Sequence, residues 1–221
     1  MLYPNLKFPK PSKDRPFFYT NFVQTVDGKV AISESGYWPI GSKKDLEVFN
    51  ELRTYADCII QGGGLARKFG EITLRSINKT LFKQTRRVNG KSAKLPYYIV
   101  TKHPENLGLH PPALQALRVD LKGAASMFSG DLESLVEELN DKGYKHVLVE
   151  GGPNLLGSFL KIGLIDEIFL TIAPKIYGSR PNSTKTLIEG ILLPPNKLKL
   201  KLISVNKIKD ELFLRYSVKK P

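Results

Sequence analysis

Cysteine is nearly missing from this chain, and its scarcity removes whole classes of function. Cys58 is the single one among 221 residues. No internal disulfide framework can form, and the paired-cysteine zinc sites of nucleobase deaminases are excluded. Cys58 lies in the apolar run "DCIIQ", where a free cysteine reads as a small core residue rather than a nucleophile. Long apolar runs are also absent. No stretch approaches the ~18 apolar residues of a membrane span. The N-terminal "MLYPNLKFPKPSKDRPFFY" carries Pro and Lys but no apolar segment of signal-peptide type, so the cytoplasm is the expected location. Acids are in deficit: 21 Asp and Glu face 34 Lys and Arg, for a formal charge of +13. That balance suits an anionic partner, whether nucleic acid, anionic lipid or a phosphorylated small molecule. No metal site is assigned.

What remains is ordinary globular composition, 41% hydrophobic and 25% charged, at a length suited to one domain. "FFYTNFVQTVDGKVAIS" (17–33) reads as two extended runs around the turn dipeptide Asp27-Gly28. Ser42 followed by Asp45 is a capping-box pattern, and Leu46, Phe49, Leu52 and Ala56 then recur at helical spacing, which predicts a helix over 43–56. "CIIQ" (58–61) reads as a buried strand ended by Gly62-Gly63-Gly64, and "YYIVT" (97–101) as another. Asp131 can cap a helix carrying Leu132, Leu135, Val136 and Leu139, with Gly143 just past its end. A strand over 147–149, a helix over 154–162 and a strand over 166–176 follow. "LKLKLISV" (198–205) and "ELFLRYSV" (211–218) flank Lys209-Asp210 like a closing antiparallel hairpin. The pattern implies an α/β fold, its sheet mainly parallel with an antiparallel C-terminal edge. Residues 1–16 read as an N-terminal extension. From Arg67 to Lys94 there are nine Lys or Arg and one acid, Glu71. This run is either a solvated loop or a phosphate-facing rim, and 76–95 reads as a flexible basic insertion.

Two strand-to-helix turns are glycine-rich: "IIQGGGLA" (59–66) and "VEGGPNLLG" (149–157). In an open α/β sheet, ligands bind at such turns, where glycine lets an anion approach the backbone amides opening the next helix. Neither turn spells G-x-G-x-x-G, so each is either plain turn chemistry or an anion cradle. Glu150 stands at the tip of its strand, either solvated or placed for hydrogen bonding or proton transfer. Lys29 follows the Asp27-Gly28 turn and is either an exposed lysine or a site residue. Trp38 is either a core wedge or a stacking platform for a planar ligand.

Taken in order, "TVDGKVA" (25–31), the Trp38 loop, "LR" (52–53), "IIQGGG" (59–64), "TLR" (73–75) and "VEGGPNLLGSFLKIGLIDEIFLTIAPKIYG" (149–178) resemble the reductase domain of the riboflavin-biosynthesis deaminase–reductase family and its stand-alone homologues. The resemblance implies a dihydrofolate-reductase-like three-layer fold. It also implies NADPH as cofactor, a homodimer, and reduction of the ribosyl group of a 5′-phosphorylated ribosylaminopyrimidine to the ribityl form. Residue by residue, it places Gly151, Gly152, Pro153, Asn154, Leu155, Leu156, Gly157 and Ser158 on the cofactor-phosphate loop. Val23, Trp38, Gly62, Gly63 and Gly64 fall on other cofactor positions. Gly36, Arg53, Ile72, Arg75 and Glu150 fall on substrate-facing positions, where guanidinium forks suit a phosphate. Lys29 and Glu150 become the candidate catalytic pair.

The chain departs from the family pattern after Gly64. Leu65 replaces a threonine, an Asp-Pro element is missing, and Gly36 stands where a serine is common. A dihydrofolate-reductase-like paralogue acting on another pterin- or pyrimidine-like compound is therefore a second reading. A basic nucleic-acid-binding protein on the same scaffold is a third. The basic run contains two aromatics, Phe69 and Phe82, where a single-strand binder needs several, which makes nucleic acid the weakest partner. The deaminase half is absent, so deamination would come from another polypeptide.

Overall fold

The computed structural model describes residues 1–32, 39–103, 125–180 and 183–219. The chain divides into two compact units, one built from Met1–Tyr3, Phe18–Glu51 and Pro153–Pro221, the other from Pro4–Phe17 and Leu52–Gly152. Among the described residues no helix is long and apolar enough to cross a membrane, and no cluster of His, Cys, Asp and Glu could hold a metal ion.

The second unit carries four parallel strands. β3 (Cys58–Gly62), β4 (Tyr97–Val100), β5 (Ala125–Phe128) and β6 (His146–Gly151) lie in the order β5-β4-β3-β6, each pair parallel. Parallel strands are covered on both faces, which is why "CII" and "VLV" read as unbroken apolar runs. Cys58, Ile59, Ile60, Val147, Leu148 and Val149 are all fully buried. The helices of this unit are α2 (Gly63–Ile77), α3 (Thr80–Val88) and α4 (Leu132–Asp141). Asp131 caps α4 as its sequence predicts, its carboxylate accepting from the Ser134 amide at 2.7 Å. Gly143 just beyond takes φ +73°.

The stretch 76–95, expected as a flexible insertion, is instead folded. α3 buries Phe82 and Arg86. The Arg86 guanidinium donates to four backbone carbonyls, those of Ser92 (2.7 Å), Arg53 (3.2 Å), Ala56 (2.7 Å) and Lys94 (3.3 Å). Lys91 also turns inward, onto Asp57 at 2.7 Å. A charge count treats every arginine as solvated, but carbonyls left over at helix ends and loops can receive a guanidinium inside the protein.

α1 (Lys43–Arg53) precedes β3 and is shorter than the predicted 43–56. Beyond Arg53 the chain turns tightly, with Tyr55 and Ala56 amides bonding back to Leu52 and Arg53. The Ser42 hydroxyl caps α1 through the Lys44 and Asp45 amides at 3.0 and 3.2 Å. The return half of the box comes from Glu211, which accepts from the Ser42 amide at 2.9 Å. Asp45 is one methylene shorter than the glutamate such a box requires.

The first unit holds β1 (Phe17–Thr25), β2 (Ala31–Ile32), β7 (Ile165–Ala173), β8 (Thr184–Lys185), β9 (Lys199–Ile208), β10 (Glu211–Lys219) and the helix α5 (Pro153–Lys161). β1 and β7 are parallel, while β7-β10-β9 is an antiparallel ladder. The mostly parallel sheet with an antiparallel C-terminal edge is therefore the one the sequence implies. The hairpin through Lys209-Asp210 is in place, with Lys209 at φ +54°. The Asp27-Gly28 turn also forms, with Gly28 at φ +78°. The run after it is not a second long strand: β2 is two residues long and pairs with β8.

One titratable cluster lies in the second unit, at the start of β6. The Asp57 carboxylate accepts from the Lys145 and His146 amides, both at 2.8 Å, and Phe8 stacks on the His146 ring at 5.2 Å. Burial, and secondarily the Lys91 ammonium, hold His146 below its ordinary value of 6.5. Burial opposes ionisation of Asp57, but Lys91 and the two amides hold it below 3.8. In both cases the unfolded chain binds a proton that the folded chain resists. Stability should be full above about pH 6.5, fall as pH drops below it, and fall again below about pH 3.8. His146→Phe should flatten the first limb only, and melting temperature followed from about pH 7.5 to 5 checks this.

Candidate functional site

The two glycine turns leave the C-terminal ends of neighbouring parallel strands, β3 and β6. At the first, Gly62 is the residue before α2, with φ −73° and ψ 150° and no side chain capping the helix. The first turn of α2 contains no acid. A Cβ added at Gly64 would meet nothing within 4 Å. The space there is open, and the opening amides and helix dipole favour an anion. At the second, Gly151 takes φ +89° and the Gly151–Gly152 peptide is cis. A Cβ at Gly152 would also meet nothing within 4 Å. Pro153 opens α5, where its missing N–H is tolerated, and the first turn of α5 again holds no acid.

Directly behind these turns lies a buried polar network. Glu150 is 4% exposed and Arg53 is 3% exposed. The Arg53 guanidinium grips the carboxylate with two bonds, Nε to Oε1 at 2.6 Å and Nη2 to Oε2 at 2.8 Å. Gln61 Nε2 donates to the same Oε2 at 2.6 Å and to Thr73 Oγ1 at 3.0 Å. Arg53 Nη2 also reaches Thr73 Oγ1, at 3.2 Å, and Nη1 reaches Ser76 Oγ at 3.4 Å. The Tyr97 hydroxyl closes the chain by donating to Gln61 Oε1 at 2.6 Å. Burial, then the nearby Glu150 charge, push the Tyr97 hydroxyl well above its ordinary value, so it keeps its proton and donates.

Arg53 and Glu150, which the resemblance gives as separate substrate contacts, thus face each other. Arg75 is exposed on α2 and pairs with Glu71. Ile72 is 41% exposed on the same helix. Lys29 lies in the first unit, its amide donating to Thr25 Oγ1 at 2.9 Å and its carbonyl accepting from the Thr25 amide at 3.0 Å. Its ammonium is among the charges that hold the Glu189 carboxyl below the usual range, after the Thr186 hydrogen bonds and Lys185. Val23 lies on β1 opposite Thr171. Gly36 and Trp38 lie outside the described residues.

Within the second glycine segment the residues have different surroundings. Leu156 is fully buried. A Cβ at Gly157 would come within 3.1 Å of the Glu189 carbonyl oxygen and 3.2 Å of Ile191, so this glycine serves close packing of α5 on that segment. Ser158 Oγ bonds back to the Asn154 carbonyl at 3.1 Å. Leu155 is half-buried and Asn154 exposed, its Oδ1 lying 3.0 Å from where a Gly190 Cβ would be. Sequence reasoning missed Gln61, Thr73 and Tyr97. The one local signal was a glutamine closing an apolar strand just before a glycine triplet.

The model of the RibD C-terminal domain family matches residues 16–214. A 2,5-diamino-6-ribosylamino-4(3H)-pyrimidinone 5′-phosphate reductase from Methanothermobacter thermautotrophicus is 28% identical over 215 residues, covering 93% of this chain and 99% of that protein. Among solved structures, a pyrimidine reductase-like protein from Corynebacterium diphtheriae superposes with a TM-score of 0.68 at 19% identity, covering 94% of each chain. A dihydrofolate reductase from Enterococcus faecalis complexed with NADP(H) superposes with a TM-score of 0.53 at 10% identity, covering 92% of this chain and 97% of that one. The fold is dihydrofolate-reductase-like.

Proposed function

We infer the activity from one premise: the chain belongs to the RibD C-terminal domain family. It is an oxidoreductase, a pyrimidine reductase of riboflavin biosynthesis. We propose that it uses NADPH to reduce the ribosyl group of a 5′-phosphorylated ribosylaminopyrimidine to the ribityl form. Coverage of almost the whole archaeal reductase favours the diamino, not yet deaminated, compound as substrate.

The observation that carries the reading is the pair of open, acid-free glycine turns at the ends of β3 and β6. Their donor set fits the phosphates of a dinucleotide. Gly62 to Gly64 and Gly151 to Asn154 would hold it, and Arg67 and Lys68 add positive charge on α2. Val23 and Trp38 remain proposed cofactor contacts, as the resemblance implies. When bound, the cofactor supplies a hydride to C1′ of the sugar. Lys29 is proposed to assist ring opening and to steady the charge that develops there. Arg75 and Ile72 remain proposed substrate contacts, both exposed on α2. Glu150 acts with Arg53 as a pair, its carboxylate aimed by the guanidinium.

The second reading, a paralogue with another pterin- or pyrimidine-like substrate, is favoured by the same Arg53–Glu150 pair, since each side chain already has a partner. Coupled turnover decides between them. NADPH oxidation with the diamino compound, and none with dihydropterins, supports the first reading, and the reverse result would remove it. A nucleic-acid-binding role is disfavoured because Arg86 and Lys91, from the basic run, point inward.

The C-terminal ladder supports a homodimer. Leu200, Leu202 and Val205 of β9 register opposite Val218, Tyr216 and Leu214 of β10, and Leu212 and Leu214 opposite Ile172 and Leu170 of β7, so all share one face. Leu200, Leu202, Val205 and Leu212 on it are 51, 47, 50 and 37% exposed. An exposed apolar face of this kind marks an interaction surface. Sedimentation velocity should show a dimer that Leu202→Glu/Val205→Glu converts to a monomer.

A further inference from the structure

We propose that Gln61, Thr73 and Tyr97 are positioning residues that hold Glu150 and thereby fix the two glycine turns as one frame for the anionic cofactor. The inference rests on the cofactor reading above. Gln61 is the residue from which the first turn departs, and Glu150 the residue from which the second departs. Their side chains meet at 2.6 Å, so the hydrogen bond joins the two turns at their roots.

The backbone alone leaves Glu150 unspecified. Along β3 and β6, Ile60 registers with Val149 and Gln61 with Gly151, so the register slips by one and Glu150 has no opposite residue. Such slips re-aim a side chain, and the aim must then be set by side-chain contacts. Arg53 supplies two of these contacts and Gln61 the third.

Gln61 can perform this task in only one amide sense. Its nitrogen must face Glu150 and Thr73, because both present oxygens to it. The reversed amide would turn its oxygen onto a carboxylate. The acceptor-only Glu150 carboxylate sets that sense, and the Tyr97 hydroxyl then satisfies Gln61 Oε1 by donating to it from a fully buried position. None of these three side chains needs to touch the ligand. They act through Glu150 and the two turns, whose open sides lie at Gly64 and Gly152.

The test measures cofactor affinity and stability separately. Wild type, Tyr97→Phe and the double variant Gln61→Met/Tyr97→Phe are titrated with NADPH by nicotinamide fluorescence and melted without ligand. Tyr97→Phe leaves the Gln61 oxygen without its donor, and the Kd for NADPH should rise about fivefold or more. The double variant removes the unpaired Gln61 oxygen, but it also takes the Gln61 donor from Glu150 and Thr73. Its Kd should therefore stay raised at least as far as that of Tyr97→Phe, whatever its melting temperature. Affinity recovering together with melting temperature, or both variants binding within about twofold of wild type, would overturn the positioning role. If wild type itself binds no NADPH, the cofactor reading fails, and this inference with it.

Discussion

Arg53→Met should be the most damaging single substitution in the second unit, costing about 3–5 kcal/mol of stability, because it leaves the Glu150 charge buried without its partner. The carboxylate is sealed from solvent, with side-chain exposures of 4% for Arg53 and 0% for Glu150. The guanidinium donates to both of its oxygens, and Gln61 to one of them. Gln61 alone is a neutral donor and cannot balance the charge. Arg53→Lys should recover only part of the loss. A single ammonium cannot span both carboxylate oxygens, Thr73 and Ser76, as the fork does. Chemical denaturation at neutral pH measures both variants. A loss below about 1 kcal/mol for Arg53→Met would show that water enters and solvates the carboxylate, and that the pair is not the keystone of this network.

The largest effect on rate is expected at Lys29. Lys29→Met should lower kcat/KM by about 10²- to 10⁴-fold if the ammonium takes part in proton transfer or stabilises charge at the sugar carbon. Stability should change little. The Thr25–Lys29 bonds that shape this turn involve the Lys29 backbone, not its side chain. The Kd for NADPH should also hold, since the lysine is assigned to the substrate side. Steady-state kinetics with the phosphorylated pyrimidine, beside a cofactor titration, separate these quantities. Unchanged kcat/KM would remove Lys29 from the chemistry.

Much of the architecture could be read from local pattern. The unbroken runs of β3 and β6 signalled parallel strands covered on both faces. Asp131 announced its helix by its own hydrogen-bonding reach. Lys209-Asp210 between two alternating runs announced the hairpin. What could not be read depended on pairs distant in the chain. Arg53 and Glu150 are 97 positions apart, and their charges, taken singly, suit a substrate equally well. The Ser42–Asp45 spacing looked sufficient for a capping box, yet the return bond comes from Glu211, 169 positions away. The basic run misled for a related reason. Sequence shows how many arginines there are, but not that four main-chain oxygens converge on one of them. The glycine turns were legible as turns. That their roots are joined follows from a one-residue register slip, which leaves no mark in composition or periodicity.

The Glu211 bond to Ser42 also has a temporal side. A ribosome adds residues in order, and the serine emerges long before its partner. That bond can form only once the ribosome has passed Glu211, 169 positions beyond Ser42, whereas the Ser42 hydroxyl cap of α1 needs only local residues. The residues of the other unit end at Gly152, and every group in the Tyr97–Gln61–Glu150–Arg53 network is already made by then. Synthesis therefore delivers the parts of the two units in a fixed order: the buried ion pair is available first, and the Glu211 bond to Ser42 last.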